Sequence, residues 1–485
     1  MMTQISKCIL VSMFVAAFQV NAARQTPNIV IILADDFGYG SVNCYGADIK
    51  YVRTPNIDRL AKEGIQFTDA NTAGSVCSPT RYAFLTGRYA WRGSLKYGVL
   101  NPPEGPLMIE PELLTLPEYL QKKGYQTAHI GKWHLGYTNL EEIEDLSAQP
   151  LEPGPRSMGF DYHFALPNQI DWLPKVYVEN ESIWGLRSKG KHPYGKSFYR
   201  GQAYHGYDAP QRVAKDTTRD LSDAARKWIS KAVTDQPEKP FFLYFAPVAV
   251  HHPISPSDKF RGTSGVGPYG DFIHDLDDSV GEIYSALAYA GVLDDTLVIF
   301  TSDNGGDFCP EEQQARELGF KNNGDFKGDK HLIWQGGFRV PFVARWPKMI
   351  QEGSKSDRMI NTVDLYATMQ ELVSGKVLDP KIAAADSFSF YSALRGDASE
   401  KGQRSTMVMN DVTGVVAIRM GDWKYIENKR LRPPAKEGKP ELYNLKKDPA
   451  ETENVIKDFP EVAEKMREAL DRVREKGSER MAARD

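Results

Sequence analysis

Apolar residues fall along this chain in two rhythms, as unbroken runs and as every third or fourth position. Four runs stand out, at residues 28–34 (NIVIILA), 240–246 (PFFLYFA), 296–301 (TLVIFT) and 340–344 (VPFVA). Continuous apolar runs fit strands buried on both faces, as in a parallel sheet covered by helices on each side. Helical periodicity fills the intervals. Thr54-Pro55-Asn56 opens one helix, in which Ile57, Leu60 and Ala61 share a face and which Gly64 ends. Three more are predicted over residues 216–232, 276–290 and 364–372. The alternation of strand and helix predicts an α/β fold. The runs also lie next to polar chemistry. The first leads into Asp35-Asp36, the second towards His251-His252 and the third into Asp303-Asn304-Gly305-Gly306, while the fourth follows Gly336-Gly337. Ligands of open α/β sheets gather at the carboxyl ends of the strands, where these acidic and histidine residues fall.

From about residue 379 the pattern changes. Segments 406–410, 415–419 and 423–426 predict short antiparallel strands, and 460–476 an amphipathic helix with Val462, Met466, Leu470 and Val473 inward. The expected organisation is a signal segment over 1–22, a large α/β domain carrying the chemistry over 23–378, and a smaller α+β subdomain over 379–485.

Composition narrows the field. A chain of 485 residues is long enough for two domains, or for one large α/β domain with an appendage. With 60 basic against 64 acidic residues it lacks the surplus of Lys and Arg that nucleic-acid phosphates require. Residues 1–22 read as a secretory signal: Lys7 supplies the positive start, residues 8–18 are mostly apolar, and Val20-Asn21-Ala22 offers small residues for cleavage. This run is too short to span a bilayer and no later run is long enough, so a secreted or periplasmic chain starting near Ala23 is expected. Loss of Cys8 leaves Cys44, Cys77 and Cys309, an odd number in an oxidising compartment.

The most specific local feature is Cys77-Ser78-Pro79-Thr80-Arg81. Pro79 sits where a helix begins, and Ala83, Phe84 and Leu85 continue it. A side chain at position 77 then faces free backbone N–H groups at the positive end of a helix, a place to hold an oxyanion. Asp35, Asp36, Asp303 and Asn304 offer three carboxylates and one amide, hard oxygen donors that suit Ca²⁺ or Mg²⁺. Lys132 and His134, two residues apart, can point to the same side of an extended segment, one to grip an anionic oxygen and the other to exchange protons. His251 follows the second apolar run, and Lys330 lies five residues before Gln335-Gly336-Gly337.

Together these segments resemble the formylglycine-dependent sulfatases of the alkaline phosphatase superfamily, nearest the arylsulfatase A and N-acetylgalactosamine-6-sulfatase branch. The signature C-x-P-x-R is present as Cys77 to Arg81, followed by Thr86-Gly87-Arg88, and G-K-W-H-x-G as Gly131 to Gly136. The E-G-G-x-R segment departs from the pattern in having Gln335 where the family has Glu. The resemblance runs from Asn28 to about Asn454 and takes in Ala417-Ile418-Arg419, Lys424-Tyr425 and Glu441 to Leu445. It implies an alkaline-phosphatase-like sandwich, with a large, mostly parallel mixed sheet between helices and a C-terminal subdomain with a short antiparallel sheet. It implies that a formylglycine-generating enzyme oxidises Cys77 before folding, and that Asp35, Asp36, Asp303 and Asn304 bind calcium, with magnesium as the alternative. It implies further that Arg81 holds the modified residue and that Lys132 and Lys330 take sulfate oxygens. His251 then protonates the leaving alcohol, and His134 removes a proton from the second hydroxyl of the hydrated aldehyde, releasing sulfate from a sulfated enzyme. His129, His163, His274 and His331 match no catalytic position and read as structural.

Residues 160–210 are rich in aromatics (Tyr162, Trp172, Tyr177, Trp184, Tyr194, Tyr199, Tyr204, Tyr207) and hold His163, His192 and His205. Such an insertion near a strand-end site is where specificity is placed. The expected substrate is an O-sulfated glycan of the galactose or N-acetylgalactosamine type, or a small sulfate ester. The alternatives are a formylglycine-dependent phosphonate or phosphodiester hydrolase and a non-catalytic protein that binds sulfated glycans.

Overall fold

In the computed structural model, ten strands form one sheet: β1 (Asn28–Ala34), β2 (Ile65–Phe67), β3 (Gln126–Lys132), β4 (Tyr162–Leu166), β5 (Val178–Glu179), β6 (Ser182–Ile183), β7 (Phe241–Ala246), β8 (Thr296–Ser302), β9 (Phe342–Arg345) and β10 (Ser354–Ser356). Their spatial order is β10-β2-β9-β8-β1-β7-β3-β4-β5-β6. The structure describes residues 26–100, 106–137, 150–171, 173, 175–196, 203–397 and 403–483; the signal-like segment 1–22, Trp172 and Tyr199 fall outside these, as do the side chains of Tyr194 and Tyr204.

The five central strands β8, β1, β7, β3 and β4 are parallel, with Ile31 of β1 between Tyr244 of β7 and Ile299 of β8. Every residue of β1, β7 and β8 is buried, as unbroken apolar runs require of strands covered on both sides. The fourth run corrects the parallel reading, since β9 pairs antiparallel with β8 and with β2. An apolar run carries no direction.

Seven helices matter here: α1 (Pro55–Lys62), α2 (Cys77–Thr86), α3 (Leu116–Lys122), α4 (Thr217–Asp235), α5 (Pro268–Tyr289), α6 (Leu365–Ser374) and α7 (Pro460–Glu475). Ile29, Ile31 and Leu33 pack with residues of α2, α3 and α6 on one face of the sheet. Val30 and Ile32 pack with α1, α4 and α5 on the other. Helix α5 begins eight residues before the predicted position, because Pro268 sets its first turn.

The second, four-stranded sheet contains β11 (Thr406–Asn410), β12 (Val416–Met420), β13 (Trp423–Ile426) and β14 (Glu441–Asn444), all antiparallel. Val408, Ile418, Tyr425 and Leu442 face Ala463, Met466, Leu470 and Val473 of α7, while Val462 is half-buried at the edge. The opposite face, through Met407, Met409, Ala417, Ile426 and Tyr443, covers Ile333 and Phe338. The small sheet therefore rests on the loop that follows Lys330. Buried Lys424 donates from Nζ to the Ile333 carbonyl and to Glu451 Oε1, both at 2.7 Å. Glu451 Oε2 in turn accepts from the Gln335 amide at 2.5 Å. Among the described residues Cys44, Cys77 and Cys309 are free thiols, and no helix is long and apolar enough to cross a membrane.

Candidate active site

Strand β1 ends at Ala34, and the next two residues are the acidic pair Asp35 and Asp36. Backbone bonds tie this turn to the ends of β7 and β8: the Asp35 amide donates to Ala249 O (3.2 Å), Val250 N to Asp35 O (2.8 Å) and Asp303 N to Ala34 O (3.1 Å). Asp36 adopts a left-handed backbone, φ 60°, and its amide donates to Asp303 Oδ1 at 3.2 Å. Cys77 is the first residue of α2 and is 1% exposed. Ligand atoms of Asp35, Asp36, Cys77 and His251 all lie within 4.8 Å of one another.

Cations surround this group. Arg81, one helical turn after Cys77, donates from Nε and Nη2 to Asp303 Oδ2 at 3.0 and 2.7 Å, and from Nη1 to Lys132 O (3.1 Å) and the Tyr244 hydroxyl (3.2 Å). Lys132, the last residue of β3, donates to both oxygens of Asp35 at 2.9 and 2.8 Å. Lys330 Nζ reaches Asp36 Oδ2 at 2.6 Å and Asp307 at 3.4 Å. Burial alone would lower both ammonium pKa values, but Asp35 and Asp36 hold them above the ordinary lysine value.

Two histidines complete the ring. His251 Nδ1 donates to the His252 carbonyl at 2.5 Å, leaving Nε2 facing the cluster 3.6 Å from Asp36 Oδ2. His134 is buried, with φ 54°, so a left-handed residue rather than plain strand alternation directs it; this corrects the extended reading. Its Nε2 lies 3.3 Å from Leu100 O and its buried Nδ1 has no partner among the described residues. Burial, then Lys132 and Arg81, push its pKa far below the usual histidine value, so the ring is neutral at neutral pH.

All of the sequence-derived candidates therefore meet at one end of the parallel strands. Asp307 and Tyr244 were not read from the sequence. Asp307 lies in the DNGGD run, four residues after Asp303, which was the available signal. Tyr244 is the hydroxyl-bearing residue inside an apolar strand. The described aromatic residues of the insertion lie elsewhere. Tyr162, Phe164, Tyr177, Trp184 and Trp228 line a groove of about 690 Å³ beside the start of β3, where Tyr162 pairs with Ala128. Tyr207 is buried with Val176 and Ile183, and His192 and His205 are exposed.

The donor set fits a hard divalent cation. Asp35, Asp36, Asp303 and Asn304 are wholly buried, and Asn304 Oδ1 is left without a hydrogen bond while its Nδ2 donates to Asp36 Oδ1 at 2.8 Å. Burial and the Asp35 carboxylate push Asp303 up against the opposing pull of Arg81, whereas Lys132, His251 and Arg81 hold Asp35 down despite its burial. Such crowding of acids is relieved by a cation. Four carboxylates (Asp35, Asp36, Asp303, Asp307) against Arg81, Lys132 and Lys330 leave one net negative charge. A dication would make it one net positive, the sign that attracts a sulfate monoester.

The fold and these residues have known counterparts. Residues 27–375 match the Sulfatase family model, and residues 324–476 that of the N-sulphoglucosamine sulphohydrolase C-terminal region. The chain is 32% identical over 490 residues, 93% of each protein, to an N-acetylgalactosamine-6-O-sulfatase of Bacteroides thetaiotaomicron. It is 31% identical to human arylsulfatase A, across 90% of this chain and 84% of the relative. A solved sulfatase structure from work on glycosaminoglycan metabolism by Bacteroides thetaiotaomicron superposes with a TM-score of 0.82 at 31% identity, covering 93% of this chain and 99% of that one. The chain thus belongs to the sulfatase family, in the arylsulfatase A and N-acetylgalactosamine-6-sulfatase branch of sulfuric ester hydrolases.

Proposed function

We propose that this protein is an exported sulfatase that hydrolyses O-sulfate esters of glycans, with a 6-O-sulfated N-acetylgalactosamine or galactose unit as substrate. Residues 23–378 carry the chemistry, and residues 379–485 support it. The observation that carries the reading is the placement of Cys77 within 4.8 Å of Asp35, Asp36 and His251 in a ring of buried cations. The sugar assignment draws on the N-acetylgalactosamine-6-O-sulfatase relative.

In this reading Cys77 is converted to formylglycine, whose hydrated aldehyde supplies an oxygen nucleophile to sulfur. A calcium ion, or magnesium, held by Asp35, Asp36, Asp303 and Asn304 would supply Lewis-acid polarisation. The remaining work falls to the chain's own side chains. Lys132 gives Asp35 two hydrogen bonds and Lys330 gives Asp36 one, so each ammonium keeps a donor for a sulfate oxygen. Arg81, spread over Asp303, Tyr244 and Lys132 O, fixes the side of the site that faces residue 77. His251, with Nδ1 held by the His252 carbonyl, presents Nε2 to the site, and it is the doubly protonated ring that gives the Nε2 proton to the departing alcohol. Neutral His134, with Nδ1 unpartnered, accepts the proton that turnover releases.

The test is side-by-side turnover of 6-O-sulfated and 4-O-sulfated N-acetylgalactosamine with matched phosphate and phosphonate esters. Release of sulfate from the 6-O-ester in preference to the others is expected, and faster turnover of a phosphonate or phosphodiester would overturn the reading. The mass of the peptide containing Cys77 addresses maturation, where a loss of about 18 Da relative to the thiol is expected.

A further inference from the structure

Behind the catalytic cations, on the sheet side, lies a buried chain of polar groups that the mechanism does not use. His129 of β3 and His163 of β4 are cross-strand partners with rings stacked at 18° and centroids 5.1 Å apart. Their Nδ1 atoms are 3.0 Å from each other. At one end His129 Nε2 lies 3.2 Å from the backbone carbonyl of Lys132, the oxygen that also accepts Arg81 Nη1 at 3.1 Å. At the other end the Tyr137 hydroxyl lies 2.9 Å from His163 Nε2. All three side chains are at most 1% exposed.

The direction of every bond follows from one fixed point. A carbonyl oxygen only accepts, so His129 Nε2 carries the proton. A neutral His129 then has a bare Nδ1, which requires His163 to donate from its own Nδ1. That leaves His163 Nε2 as an acceptor, and Tyr137 donates to it. The two rings therefore hold opposite tautomers. The reversed chain would need a doubly protonated His129, which burial, then His163 and Arg81, oppose by pushing its pKa far below the ordinary value. Burial does the same to His163, to about 3. The ionisable groups facing the pair are Arg81 from α2 and Tyr244 from β7, the latter with its ring 4.8 Å from His129.

We propose that Tyr137, His163 and His129 form a one-way hydrogen-bond relay that positions the Lys132 carbonyl, and through it the Arg81 guanidinium and the Lys132 ammonium, for sulfate-ester cleavage. These are positioning residues, since none of them touches the reacting centre. Lys132 is the last residue of β3 in register with β4, opposite Leu166, and the backbone departs from strand geometry on either side of it, with Gly131 at φ 128° and His134 at φ 54°, so the support falls where regular pairing ends. The proposal rests on Lys132 and Arg81 serving the sulfatase site.

Two measurements on the full-length protein test it. In wild-type protein with ¹⁵N-labelled histidine, a trans-hydrogen-bond nitrogen–nitrogen coupling should link two of the nine histidines. One ring should carry its proton on Nε2 and the other on Nδ1, both neutral from pH 6 to 8. No coupled pair, identical tautomers or a cationic ring in that range would overturn the relay, and because no turnover is involved this outcome is separate from failure of the sulfatase reading. In kinetics, His129→Leu, which removes the donor to Lys132, should lower kcat by about 100-fold, as an ångström-scale misplacement of catalytic groups does. His129→Gln, whose amide nitrogen can occupy the Nε2 position, should recover most of that loss at equal folded fraction. Equal impairment of the two variants would reduce the pair to core filling and overturn the proposal.

Discussion

Arg81 closes on Asp303 through two donors to one oxygen, Nε at 3.0 Å and Nη2 at 2.7 Å from Oδ2, with both side chains wholly buried. The pair joins the second turn of α2 to the end of β8, so it bears on the fold as well as the chemistry. Arg81→Leu strands the Asp303 carboxylate in a desolvated site and should cost about 3–5 kcal/mol, read by urea denaturation. Arg81→Lys keeps the charge but loses the planar fork, and should fold more stably than the Leu variant while remaining far less active than wild type.

Cys77→Ser tests the nucleophile without disturbing packing, because oxygen for sulfur is a small change at a buried helix start. The variant should melt close to wild type and give no multiple turnover of a sulfate ester. Rapid turnover by serine protein free of formylglycine would remove Cys77 from the mechanism.

The cation can be read without activity. Calcium at about 100 times its dissociation constant should stabilise the folded protein by about 2.7 kcal/mol, seen as a rise in melting temperature that chelator reverses. Asn304→Leu removes the unpartnered Oδ1 and should shrink the calcium-dependent rise. An unchanged rise would place the ion elsewhere.

Gly305 and Gly336 let the Asp303 and Lys330 loops touch through backbone: a Cβ at Gly305 would lie 1.8 Å from Gly336 O, and Gly305 N donates to Gly337 O at 3.0 Å. Gly305→Ala must push the loops apart and should cost about 1–3 kcal/mol, with activity falling further than stability because Lys330 moves away from Asp36. Thermal melts and kcat measured on the same preparation check this.

Asp69 ties the small sheet to the large domain, accepting from Arg419 at 2.8 and 2.9 Å and pairing with Arg339. Burial would raise its pKa, but Arg339 and Arg419 hold it well below the ordinary carboxylate value. The folded state then binds fewer protons than the unfolded state across that interval, so the stabilisation is present above about pH 4 and lost as pH falls towards the folded value. Asp69→Asn should cost about 1.5–3 kcal/mol at pH 7. The gap from wild type should stay constant in melts from pH 6 to pH 4 and begin to narrow below about pH 4.

Strands β1, β7 and β8 were legible because both of their faces are apolar, and the acidic pairs were legible because they follow those runs directly. Strand β3 was not: Gln126, His129, Gly131 and Lys132 break its pattern, and their polar atoms find partners only in the fold, as with Gln126 Nε2 on Ala232 O and His129 on His163. The same holds for His163 in β4. Residues that carry the motif could be named from their neighbours in sequence. Asp307 and Tyr244 gain their meaning from Lys330 and Arg81, which are distant in the chain. Among the described aromatics of the insertion, Phe164, Tyr177 and Trp184 pack on one another at the sheet edge, a pairing that the sequence alone does not display.

The Lys424–Glu451 pair that braces Ile333 and Gln335 also sets a clock. The loop carrying Lys330 acquires its brace only when residue 451 has left the ribosome, more than three hundred residues after Cys77. At translation rates of about 5–20 residues per second this leaves roughly 20–75 s in which the segment around Cys77 has been made but the Lys330 loop lacks its brace. A side chain that ends 1% exposed is out of reach of any modifying enzyme once the fold closes. If Cys77 is converted as proposed, the order of synthesis favours an early reaction, and slower elongation upstream of residue 451 should raise the converted fraction.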